Sequence, residues 1–89
     1  MPYIKQEKRK ELEMPLAKLL FKLNSKGDYN YIITMMLHHF IEKNGLRYEH
    51  LNDAMGIVES AKQEFYRTVV APYEDKKIEE NGSISELDK

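Results

Sequence analysis

Residues 59–82 run ESAKQEFYRTVVAPYEDKKIEENG, a stretch in which helical spacing, clustered Tyr and Arg side chains and one proline coincide. Phe65 and Val69 extend the three-and-four spacing that Leu51, Met55 and Val58 begin upstream, the mark of a helix with a core-facing seam. Pro72 disfavours the α conformation at Ala71 and removes one ladder bond, which predicts a kink or interruption before YEDKKIEEN resumes as a last helical piece. This long, Pro72-kinked C-terminal helix is the expected spine. Gly56 costs roughly 1 kcal/mol relative to alanine in a helix interior and reads as a place of close helix approach.

Upstream, NYIITMMLHHFIE (residues 30–42) carries Tyr31, Ile32, Ile33, Met35, Met36, Leu37, Phe40 and Ile41, more than the roughly 100° stripe that a one-sided surface helix needs. Such a helix must be covered on more than one side, by the rest of the bundle and by a second copy of the chain. Asp28 suits its N-cap, and Gly45 its C-terminal stop. Before it, Leu16, Leu19, Leu20 and Leu23 form an amphipathic segment that Pro15 should start as a first helical residue. The charged run KQEKRKELE (5–13) reads as a short solvated helix.

Together these signals predict an all-α fold: a small bundle of about four helices, with the middle two antiparallel, in a single domain over residues 1–82 and a mobile tail over 83–89. The chain has 89 residues, with 14 Lys and Arg against 15 Asp and Glu and a net charge of -1, so neither a basic nor an acidic surplus marks its partners. It has no cysteine, which excludes disulfides, thiolate zinc sites and Cys nucleophiles. A hydrophobic share of 42% with 33% charged fits a soluble domain. No apolar run approaches the roughly 18 residues of a membrane span, and MPYIKQEKRK lacks a signal-peptide core. The expected location is the cytoplasm.

The strings MPYIKQEKRKELE (1–13), NYIIT (30–34), NGLRYEHLNDAMGIVESAK (44–62) and EFYRTVVAPYEDKKIEENG (64–82) resemble a family of short proteins of unknown function, encoded mostly by bacteriophages and prokaryotes. The resemblance extends over nearly the whole chain. It implies a stand-alone accessory protein of phage type, acting in the host cytoplasm, and brings no catalytic or binding residues with it.

The residues themselves suggest one constellation. Tyr66, Arg67 and Tyr73, with Lys62 a turn earlier, offer guanidinium and ammonium donors for phosphate and rings that can stack on a base. Asn30 and Tyr31 could add polar groups from the start of the apolar helix. Each also has a plain structural role: Lys62 can pair with Glu59, Arg67 with Glu64, and a tyrosine is commonly half-buried with a wet hydroxyl. No metal site is expected from His38, His39 and His50, which lack ligand spacing, and no nucleophile is paired with a base, so neither a cofactor nor an enzyme activity is expected. Acidic residues interleave Lys5–Lys10 and weaken any nucleic-acid track. Two functions stay open: a homo-oligomeric, non-enzymatic binder of a small anionic ligand such as a nucleotide signal, held by sequestration, and a protein-interaction module that docks on a host or phage partner without a pocket.

Overall fold

A computed structural model describes residues 3–89, and they are helical almost throughout, with no strand among them. Helix α1 spans Gln6–Phe21, α2 Lys26–Asn44 and α3 Tyr48–Phe65; a π-helical turn over Tyr66–Val70 then leads without a break into α4, Ala71–Asn81. Residues 48–81 therefore act as one rod. At about 1.5 Å per residue it should measure about 51 Å, and the molecule's longest dimension is 49 Å.

Local chemistry explains most of these limits. Ser25 is the N-cap of α2: its hydroxyl accepts from the Asp28 N–H at 3.2 Å. The Asp28 carboxylate in turn accepts from the backbone of Ser25 and Asn24. Asp28 thus serves at the third helical position rather than as the cap, and the same backbone hydrogen bonds hold its carboxyl below the usual range. Gly45 ends α2 with φ +109, and the His50 ring donates from Nδ1 to the Gly45 carbonyl at 2.9 Å, pinning the link to α3.

Pro15 behaves differently from expectation, whereas the α ladder is interrupted ahead of Pro72 by a π turn. Pro15 lies inside α1, which runs through it from the charged segment to Phe21 instead of restarting there. No residue of α1 is buried, so water can satisfy the carbonyl that Pro15 leaves without a donor. At Pro72 the helix neither breaks nor leaves the α conformation: Ala71 has φ -60 and ψ -46, and its N–H reaches back to the Tyr66 carbonyl, five residues away. The missing proline donor is absorbed as a widened turn.

The packing is sparse. Among the described residues α2 and α3 lie against each other, α4 has close backbone neighbours only in the π turn, and α1 makes no close backbone contact with another helix. Ala54 is the only buried hydrophobic residue among those described, at 6% exposure. Phe65, Val69, Met55 and Leu51, expected to face a core, are exposed in the single chain, Phe65 by 60%. The radius of gyration is 17.5 Å, against about 12 Å for a compact domain of this length.

Gly56 is likewise not a point of close approach within one chain, since a Cβ added there would meet nothing within 4 Å. Gly56→Ala is expected to raise stability by about 1 kcal/mol, measurable by urea unfolding. A loss instead would place the backbone of another copy against this residue.

Candidate functional site

The side chains singled out by sequence fall into separate regions of the single chain. Arg67, on the first turn of the π segment, ion-pairs with Glu64 at 2.7 Å, and the Tyr3 hydroxyl donates to the same Glu64 oxygen. Arg67 also approaches that hydroxyl at 3.4 Å. This knot ties the chain's lead to α3. Hydrogen bonding from Tyr3, and then from Arg67, holds the Glu64 carboxyl below its ordinary value. A depressed carboxyl stabilises above the ordinary carboxylate range, and its contribution is lost as pH falls through the folded value, so the knot is intact at neutral pH and is released by acid.

Tyr66 faces the other way, toward α4, and its hydroxyl donates to Glu74 at 3.0 Å. That hydrogen bond raises the Tyr66 pKa by favouring the neutral phenol. Tyr66 and Tyr73 share a hollow of about 590 Å³ with Glu74, Asp75, Lys77 and Asp88. Lys77 lies over the Tyr73 ring, 5.4 Å from its centre. Three carboxylates against one ammonium make this hollow a poor anion site on its own.

Asn30 and Tyr31 line a shallow depression at the start of α2 together with Lys26, Gly27 and Thr34. Thr34 donates to the Asn30 carbonyl at 2.8 Å, the local bond expected of a helical threonine. Lys62 pairs with Glu59 at 3.4 Å, and Glu59, also bonded by Gln63, keeps a lowered pKa. Asn30, Glu59 and Arg67 are all exposed, so they form no buried charged network.

Lys62 also belongs to a feature that sequence reasoning did not isolate. A groove of about 1100 Å³ runs between α2 and α3, walled by residues such as Ile33, Met36, Phe40 and Val58. Its polar lining is His39, Lys43, Asn44 and Lys62, with no carboxylate. The excess of apolar residues on α2 was the available signal, but periodicity alone does not say which neighbour leaves them uncovered. Among the described residues no group of His, Asp and Glu side chains converges as a metal site, and no helix is long and apolar enough to cross a membrane.

A family model described as a domain of unknown function, DUF6899, matches residues 1–84. The chain belongs to the DUF6899 family. The match takes in α1 through α4 and stops short of the 3₁₀ turn at Glu86–Asp88. Every candidate residue named above except Asp88 therefore lies in the part of the chain that the DUF6899 model covers. Comparison with curated proteins and with solved structures finds no match.

Proposed function

We propose that this DUF6899 chain works as a homo-oligomer that binds a small anionic ligand, of the nucleotide-signal class, without transforming it. The observation that carries the oligomer is the surface of one chain. It exposes 8313 Å², whereas a compact monomer of 10.6 kDa exposes about 5500 Å². The excess of about 2800 Å² per copy, about 5600 Å² for a pair, is of the size that the largest obligate interfaces bury.

Support for an anionic ligand comes from chemistry left at exposed positions. Tyr31, Tyr66 and Tyr73 offer rings half or more exposed, Lys62 and Arg67 offer donors at the surface, and the groove rim is cationic. Within one chain these groups stand apart, so a site for a base and a phosphate would be assembled between copies. A phage that encoded such a protein would gain by holding a host nucleotide signal in the cytoplasm. The same exposed apolar surface also favours the second reading, a module that docks on a host or phage protein.

Thermal melting with a broad nucleotide panel, beside light scattering for the mass, tests both halves. Expected are a mass above one chain and a clear rise in Tm with at least one nucleotide, abolished in Arg67→Ala and weakened in Tyr66→Phe with the mass unchanged. An oligomer with no shift across the panel removes the ligand and leaves the interaction module. A stable, folded monomer removes the oligomer.

A further inference from the structure

We propose that the groove between α2 and α3 is filled by the C-terminal arm, the π turn with α4, of a second copy of the chain. The inference rests on the homo-oligomer above and names the surfaces that meet. First, the arm is little covered by its own chain. Among the described residues α4 has close backbone neighbours only in the π turn, and Val69, Tyr73 and Ile78 are exposed by 52%, 61% and 38%.

Second, the dimensions agree. The α2 wall of the groove runs from Ile32 to Asn44, about 18 Å of helix, and α4 over Ala71–Asn81 is about 16 Å long.

Third, the charges are complementary. The link at residues 45–47 divides the sequence into a half with nine Lys and Arg against five Asp and Glu (residues 1–47) and a half with five against ten (48–89). The near-neutral total conceals +4 beside -5. Lys43 and Lys62 rim the groove, while α4 is net negative, with Glu74, Asp75, Glu79 and Glu80 against Lys76 and Lys77. Pairing α2 with α2 across a twofold axis would instead set the lysines against their own copies, which costs energy when the contact is desolvated. An arm from another copy brings apolar residues for the walls and carboxylates for the rim.

The consequence for function is a shared site. Tyr66 and Tyr73 of one copy arrive beside Lys43 and Lys62 of the other, joining the aromatic and cationic groups that a single chain keeps apart. The Glu74 carboxylate that holds Tyr66 in the free arm gains a lysine partner in the groove.

The absence of native cysteine makes the test direct. Met36→Cys marks the groove and Ile78→Cys the arm. The two variants are made singly, mixed, allowed to exchange subunits and treated with a short bismaleimide, then run on a denaturing gel. A covalent dimer from the mixture, and from the Met36→Cys/Ile78→Cys double variant, but from neither single variant alone, is the expected result. A dimer from Met36→Cys alone shows groove against groove and overturns the inference while leaving the oligomer in place. A link confined to one chain in the double variant shows the arm folding back on its own groove and overturns it as well. A folded monomer by light scattering overturns both it and the oligomer beneath it.

Discussion

Met36→Asp is expected to convert the protein from a folded oligomer into dissociated and largely unfolded chains. In one chain Met36 is 57% exposed, and a substitution at so open a position of a true monomer stays within about 0.5 kcal/mol. In an assembly that closes over the α2 groove, the new carboxylate sits in an apolar wall without a partner, at a cost of several kcal/mol. Total stabilities are about 5–15 kcal/mol, so that cost is decisive. Because a single chain keeps only Ala54 buried among the described residues, loss of the partner should carry most of the helical circular dichroism with it. The unaltered protein should also melt at a temperature that climbs with concentration, since association and folding are then one equilibrium. Unchanged mass and melting in the variant would mean that this face of α2 is open to water in the working protein.

Pro72→Ala is expected to act in the opposite sense on the single chain and the assembly. Alanine restores an N–H at position 72 that can reach the Thr68 carbonyl, and it removes the ring that crowds that carbonyl. The π turn over Tyr66–Val70 then has no reason to persist and should close to ordinary α-helix. One residue of register is recovered, which turns α4 about 100° around the rod relative to α3. The Tyr66–Glu74 hydrogen bond should break, and Ile78 should leave the place proposed for it in the groove of a second copy. Burial of such a side chain contributes about 1.5–3 kcal/mol, so the dissociation constant should rise by at least about tenfold. Spectrophotometric titration reads the first effect as a return of the Tyr66 pKa toward its ordinary value, and analytical ultracentrifugation reads the second. A variant that associates like the parent, with Tyr66 still held, would show that the widened turn is set by something other than the imide.

The helical class was legible from spacing alone, as were the stop at Gly45 and the pairs Lys62–Glu59 and Arg67–Glu64, because each is decided within about four residues. Features that depend on what surrounds a helix were not. Pro15 reads locally as a start, yet α1 tolerates it because the helix is wet all round. Phe65 and Val69 have the spacing of buried residues and remain exposed in one chain, since a seam records that a neighbour is needed without recording whose. Of the candidate site, the chemistry of Tyr66, Arg67 and Tyr73 was visible in the sequence, but not the Tyr66–Glu74 hydrogen bond, which spans eight residues across the π turn. The Tyr3–Glu64 contact joins residues 61 apart, and no pattern in the sequence announces it.

The order of the helices along the chain has a consequence for biosynthesis. The groove between α2 and α3 is complete once Lys62 has emerged from the ribosome, whereas the arm proposed to fill it ends at Asn81. At about 5–20 residues per second, every nascent copy should carry an uncovered, positively rimmed trough for about 1–4 seconds. During that interval the chain's natural custodian is a chaperone or a finished sister molecule already released nearby.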